Sequence, residues 1–379
     1  MNRSLYPLKL AFIGGGINSV VGYTHLIASH MDKKWILKAG SFSKEKNINL
    51  ETVEKWNLKD VKVYDDWREM LKQEKGKLDA VVIITPTPDH PEFILKAIEL
   101  GYPVICEKAL ASSVEKAKEI KKNVDSKKAF LVVTYNYLGY PMLRELKDMI
   151  VRGDLGKINH IYIEMPQEGF SRLTLNGTIP NVQTWRLKDE FIPTISLDLG
   201  VHLHAIVYFL TGEKPLEVVA DYTTYGWFKN IVDNVIAIIK YSNDIRCLMW
   251  YSKSALGHRN GLRIRIYGDK KSAEWYQMNP EELTLSTVTG ERFVVDRASC
   301  GTKITTEQRY NRFKAGHPAG FIEAFANLYV DIADCLLQYK QKGTYYSPYV
   351  FGIDVALEGL KLFEAFSVSV ESRNWVRLS

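Results

Sequence analysis

Three residues of this 379-residue chain combine a reactive side chain with a placement suited to moving protons and charge: Lys108, Asp198 and His202. Lys108 directly follows the apolar run Pro103-Val104-Ile105-Cys106-Glu107. An ammonium at the end of a buried strand can stabilise an oxygen that becomes negative during a reaction. Such a lysine is otherwise a solvated surface residue, and its position is what distinguishes it. Asp198 and His202 stand four apart in Leu197-Asp198-Leu199-Gly200-Val201-His202-Leu203-His204, ahead of an apolar run to Leu210. On the first turn of a helix the two share a face, so the imidazole can take a proton from a hydroxyl while the carboxylate orients the ring or meets the substrate. His204, two residues on, points elsewhere. A catalytic zinc needs three converging protein ligands, so no metal is expected here.

A second constellation is the glycine run Gly14-Gly15-Gly16-Ile17-Asn18-Ser19, entered from an apolar strand, Lys9 to Ile13, and left through a helix predicted from Ser19 to His30. Glycines at such a turn let the backbone approach a pyrophosphate, and the helix N-terminus offers free N–H groups and a positive dipole end. Gly14, Gly16, Ile17 and Asn18 are therefore candidate dinucleotide contacts, with Ser19 as the small residue in the usual third-glycine position. The second strand ends in Ala39-Gly40-Ser41-Phe42-Ser43-Lys44, with no carboxylate to hold a ribose 2′-hydroxyl. Ser43 and Lys44 suit a 2′-phosphate, and equally suit a plain helix start, so NAD and NADP both remain open. In open parallel sheets ligands sit at the carboxyl ends of strands. Thr85, Pro86 and His90, after the fourth run, and Glu107 with Lys108, after the fifth, thus face the same crevice as the glycine turn.

The elements that must position these groups follow from hydrophobic patterning. From Lys9 to about Thr134, short Val/Ile-rich runs alternate with longer amphipathic stretches, the pattern of parallel strands covered on both faces by helices. After Leu138, one helix from about Met142 to Arg152 is followed by alternating segments: INHIYIEM, LEVVADYTTY, NVIAIIKYS, DIRCLMWYS, LRIRIYG and SAEWYQM. Turn residues at 242 to 244 and 268 to 269 make this an antiparallel meander. The fold class expected is α/β: an N-terminal Rossmann sheet over residues 1–135, then an α+β domain over 136–379 with a large, mostly antiparallel open sheet. Two closing helices, about Gly320 to Gln338 and Tyr349 to Val370, are expected to pack back toward the N-terminal domain.

Composition narrows the function classes. Hydrophobic residues make up 46% and charged residues 25% of the chain, a globular balance, and the net charge of +6 is spread along it without a basic arm. Nucleic acid is not implied. Cys106, Cys247, Cys300 and Cys335 form no C-x-x-C pair, and no apolar stretch is long enough to be a signal core or a membrane span, so a cytoplasmic protein is expected.

The ordered set of GGGxxS, TPTPDH, EKA and DLGVH resembles the glucose-fructose oxidoreductase, inositol dehydrogenase and rhizopine catabolism family, Gfo/Idh/MocA. The likeness spans nearly the whole chain and extends to Thr134-Tyr135-Asn136-Tyr137-Leu138-Gly139-Tyr140-Pro141-Met142 and to Gly316 through Asn327. The resemblance implies an NAD(P)-dependent dehydrogenase acting on a secondary hydroxyl of a sugar, cyclitol or nucleotide-sugar, with Lys108, Asp198 and His202 facing the substrate and Asn136 near the cofactor. It also places Gln167, Trp185, Arg186 and His317 in substrate-lining segments, Arg186 as a donor to a carboxylate or phosphate. The open sheet implies a homodimer or homotetramer. Two departures stand out: Ala109 replaces the proline of E-K-P, and Phe191 to Ser196 is a bulkier lead into D-x-x-x-H than usual. Glycoside cleavage through transient oxidation would use the same residues, and a non-catalytic dinucleotide sensor would keep the fold alone.

Overall fold

The structure is a computed structural model that describes residues 6–378. By its internal contacts the chain forms two compact units: one takes in the chain up to Gly139 together with Phe321–Leu357, the other Tyr140–Gly320 with the chain from Glu358 onward.

The first unit alternates strands and helices in chain order: β1 (Leu8–Gly14), α1 (Gly22–Met31), β2 (Trp35–Ser41), α2 (Lys46–Lys55), β3 (Lys62–Val63), α3 (Trp67–Gln73), β4 (Ala80–Ile84), α4 (His90–Glu99), β5 (Val104–Cys106), α5 (Val114–Lys127) and β6 (Leu131–Val133). All neighbouring strands run parallel in the order β3-β2-β1-β4-β5-β6. The order reverses between β1 and β4, and the carboxyl ends of strands at such a reversal are where open α/β sheets bind ligands. Every residue of β4 is buried, as a central parallel strand requires. Side chains from Leu10, Phe12, Val82 and Val132 join Phe325, Leu328, Ile332 and Leu336 of a later helix in one apolar core.

The second unit contributes α6 (Pro141–Val151), β7 (Ile158–Pro166), α7 (Val201–Thr211), β8 (Pro215–Thr223), β9 (Asn234–Tyr241), β10 (Arg246–Ser252), β11 (Arg263–Gly268), β12 (Lys271–Tyr276), β13 (Asn279–Thr287) and β14 (Arg292–Asp296). Next come α8 (Phe321–Lys342), which belongs to the first unit, α9 (Ile353–Ser372), whose first turn to Leu357 is in the first unit and the rest in the second, and β15 (Val376–Arg377) in the second. The large sheet has the order β14-β13-β12-β11-β7-β10-β9-β8-β15. It is not the simple meander expected. Strand β7 lies between β10 and β11 and pairs with β10 in parallel. The segment from Lys253 to Leu262 between β10 and β11 is too long for a hairpin turn, and it leaves that edge open for β7. The turns read at 242 to 244 and at 268 to 269 do join adjacent antiparallel strands. Among the described residues no helix is long and apolar enough to cross a membrane.

One local correction concerns the glycine turn. Helix α1 starts at Gly22, not Ser19. The Ser19 hydroxyl instead accepts from the N–H groups of Val21 (3.3 Å) and Gly22 (3.1 Å), closing the turn ahead of the helix. A Cβ on Gly22 would lie 1.8 Å from the Gly15 carbonyl oxygen. The glycine that lets α1 pack against the β1 turn is therefore Gly22, three residues beyond the position the spacing suggested. Gly22→Ala should lower unfolding free energy by about 1–3 kcal/mol through overpacking, more than the roughly 1 kcal/mol expected for Ser19→Ala as a lost cap. Urea unfolding of the two variants checks this, and a larger loss for Ser19→Ala would contradict it.

Candidate active site

At the mouth of the parallel sheet, Gly14 and Gly15 have φ of +78° and +77°. A side chain at Gly14 would press on the end of β4, its Cβ 2.7 Å from Thr85 Cγ2. The turn is anchored by two donors, Gly16 N–H to the Phe42 carbonyl (3.2 Å) and Ile17 N–H to Thr52 Oγ1 (3.1 Å), while Asn18 is exposed. Close by, Thr85 Oγ1 is buried with no hydrogen-bond partner, and so is Asn136 Nδ2, just past β6. A buried polar atom without a partner costs about 1–3 kcal/mol unless a ligand or water pairs with it. These two atoms follow the carboxyl ends of β4 and β6, Thr85 against the glycine turn and Asn136 at the far edge of the sheet, and both fit an extended polar ligand lying along that edge. Pro86 is exposed in the same loop.

His90 has a different task from the one expected. It is fully buried, with Nδ1 2.8 Å from the Ala109 carbonyl and Nε2 2.8 Å from the Thr85 carbonyl. Its ring therefore ties the loop after β4 to the loop after β5 and presents no polar atom to a ligand. At the end of β2, Ser43 is likewise engaged: its N–H donates to Asn49 Oδ1 (2.8 Å) and its hydroxyl accepts from Glu45 N–H (3.1 Å). Lys44 is 82% exposed and 3.6 Å from Asp89, a solvent-screened pair that holds it weakly.

Glu107 is also turned inward. Its carboxylate accepts from the Thr134 hydroxyl and lies 3.1 Å from His25 Nε2. On the far side of the ring, His25 Nδ1 is 2.7 Å from the Tyr329 hydroxyl of α8. Burial pushes the Tyr329 hydroxyl well up, so it keeps its proton and can donate to Nδ1, leaving Nε2–H to donate to Glu107. Burial by itself would raise the Glu107 pKa. Hydrogen bonds from His25 and Thr134, with the nearby charge of Lys108, outweigh it and hold the group below the usual carboxylate range. The half-buried Lys108 follows immediately, and the Lys108–Ala109 peptide is cis.

The second unit assembles a charge cluster of its own. Asp198 lies in one wide π-helical turn, Ser196–Gly200, that runs into α7, where His202 is buried. Asp198 Oδ2 accepts from the Lys253 ammonium, and Arg186 Nη1 sits 2.5 Å from the same oxygen. Arg186 stacks on Trp185, 4.5 Å from the ring, and both side chains bond to Gln183 Oε1. So the structure brings Arg186 to Asp198, with Trp185 behind it. Gln167 bonds instead to Asn260 (3.0 Å), and His317 is exposed, its ring edge-on to Phe313 at 4.6 Å. His25, Thr134, Tyr329 and Lys253 escaped the sequence reading. Lys253 directly follows β10, a strand with one exposed face, so it lacks the fully buried lead that singled out Lys108.

Residues 8–135 match the model of the oxidoreductase family with an NAD-binding Rossmann fold, and residues 143–274 match the GFO/IDH/MocA C-terminal domain. The chain is 28% identical over 370 residues to a Bacillus subtilis protein named uncharacterized oxidoreductase YfiI, covering 94% of this chain and 93% of that one. The crystal structure of an oxidoreductase from Sinorhizobium meliloti superposes with a TM-score of 0.83 at 29% identity, covering 97% of this chain and 99% of that one. An inositol dehydrogenase homologue from Azotobacter vinelandii, complexed with NADH and myo-inositol, shares the fold with a TM-score of 0.86 at 24% identity, covering 98% of each chain. With the glycine turn, the E-K and D-x-x-x-H residues and both matched regions in place, the chain belongs to the Gfo/Idh/MocA family of NAD(P)-dependent oxidoreductases.

Proposed function

We propose that the chain transfers a hydride between the nicotinamide of NAD or NADP and a carbon bearing a secondary hydroxyl in a sugar, cyclitol or nucleotide-sugar. The observation that carries this reading is the built surroundings of the reactive residues. Glu107, the residue before Lys108, is locked inward by His25 and Thr134, and Asp198, one helical turn before His202, is held by two cations. Surface residues that happened to fit a motif would not be supported in this way.

The roles follow from the chemistry of each group. His202, as a neutral imidazole, takes the proton from the substrate hydroxyl. The Lys108 ammonium stabilises the negative charge that develops on that oxygen. Asp198, paired with Lys253 and Arg186, stays a carboxylate and serves as an oriented acceptor. The glycine turn, fixed by the Gly16 and Ile17 N–H bonds to Phe42 and Thr52, brings the backbone of Gly14, Gly16, Ile17 and the exposed Asn18 close to the pyrophosphate, with Thr85, Pro86 and Asn136 lining the way to the reactive end and Ser43 with Lys44 at the 2′ end. When bound, the nicotinamide supplies the hydride chemistry that no side chain can.

The outer face of the large sheet supports self-association. Leu248 of β10 faces Ile238 of β9 on one side and Tyr162 of β7 on the other, and all three are exposed, while Cys247, Met249, Ala237, Ile239, Ile161 and Ile163 point inward. An apolar row of this kind on an open sheet marks an association surface, and we propose that a second copy of the chain covers it.

Two measurements test these proposals. Reduced-nicotinamide absorbance with NAD and separately NADP, across free sugars, inositols and nucleotide-sugars, should rise for at least one pair. Lys108→Ala should then lose about a hundredfold or more in kcat with dinucleotide affinity little changed; full turnover by the variant would contradict the assigned role. Light scattering should show a dimer or larger for the wild type and a shift to monomer for Leu248→Lys, whereas a monomeric wild type would refute the interface.

A further inference from the structure

Lys253 is absent from every motif that the sequence offers, yet it is the more buried of the two cations that meet Asp198. Its side chain is 9% exposed, against 14% for Asp198 and 23% for Arg186. Its backbone is fixed at both ends: the N–H donates to the Asp233 carbonyl (2.8 Å) and the carbonyl accepts from Phe170 N–H (2.8 Å). The ammonium lies over the Phe170 ring, 4.8 Å from its centroid, and donates to Asp198 Oδ2. Asp198 itself stands in the wide π-helical turn Ser196–Gly200, four residues before His202. A carboxylate so placed needs a partner outside its own helix to fix its rotamer. Arg186 is a poorer candidate, since it arrives from a short turn, Thr184–Leu187, on the unit's surface and is more exposed.

We propose that Lys253 is a positioning residue for the reaction, acting through Asp198: it fixes the carboxylate as an oriented anion beside the residue that moves the proton. Burying a lone carboxylate is costly, and a buried charge that loses its partner turns toward solvent or another donor. Without Lys253, Asp198 Oδ2 loses the buried donor that fixes its direction and is pulled toward Arg186. The effect falls on the chemical step and not on the binding of either ligand.

This inference rests on the dehydrogenase reading above, and the test separates the two. Lys253→Met, Lys253→Arg, Asp198→Asn and the double variant Lys253→Met/Asp198→Asn are assayed with the sugar or inositol that the wild type oxidises fastest, and NADH or NADPH affinity is followed by fluorescence. Lys253→Met should lower kcat by about a hundredfold with KM within about threefold. Lys253→Arg should recover at least roughly a tenth of the wild-type rate, because it restores the charge and a donor. The double variant should be no slower than Asp198→Asn alone, since a residue that acts only through another shows no additional loss. A merely structural lysine would give additive losses and no rescue by arginine, which would overturn the proposal. So would wild-type kcat in Lys253→Met. If Asp198→Asn is impaired while Lys253→Met is not, this inference alone falls; if neither is impaired, or the wild type oxidises nothing, the reading of the site falls with it.

Discussion

The Glu107 carboxylate, buried at the end of β5, joins four elements of the first unit: its own strand, β6 through Thr134, α1 through His25, and α8 through the Tyr329 hydroxyl on the other side of the His25 ring. A buried anion is tolerable only when its lone pairs are met, so each of these elements is fixed relative to the strand end. The consequence reaches the chemistry. Lys108 leaves the strand from a residue that cannot turn outward, and the same helix that carries His25 begins at the glycine turn. His90 adds a second tie, between the loops that follow β4 and β5. Helix α1 after the glycine turn and the backbone at Lys108 are thus tied to one polar network at the sheet's carboxyl edge.

The second unit solves the same problem by another means. Asp198 is less deeply set and is met by two cations, where Glu107 is met by a hydroxyl and an imidazole. Cations keep the carboxylate charged and aimed, which suits an acceptor that must not carry the proton itself. In both units a carboxylate with a structural partner stands near a residue to which we assign a chemical role: Glu107 before Lys108, and Asp198 four residues before His202. Each motif therefore contains its own support.

Much of this was legible in the sequence. Strands β1, β2, β4, β5 and β6 announce themselves as continuous apolar runs, because strands buried on both faces have no polar alternation to blur them. Strand β3, two residues long, gives no such signal. The glycine spacing marked a tight turn after β1, but the packing glycine is Gly22, since Ser19 extends the turn with its hydroxyl instead of opening the helix. The insertion of β7 beside β10 was hidden because local turns reveal hairpins and not long-range parallel pairing. The roles of His90 and Glu107 were misjudged for a related reason: strand-end position says that a side chain is near the crevice, while burial decides which way it faces. His25 lies 82 residues from Glu107 and 304 from Tyr329, distances across which no pattern in one sequence speaks. Lys253 escaped the rule that found Lys108, because that rule asks for a strand buried on both faces and the strand before Lys253 alternates exposed and buried residues.

Direct hydride transfer to and from a carbinol carbon is the central claim, and following the hydrogen itself tests it most directly. The best-oxidised sugar or inositol, deuterated at the reacting carbon, is turned over in ordinary water and the reduced cofactor is recovered for mass spectrometry and proton NMR. Deuterium is expected wholly at nicotinamide C4 and on one face of the ring, as a chiral protein site that moves the hydride without exchange requires. Loss of the label to water, or its appearance on both faces, would contradict direct transfer in the site described.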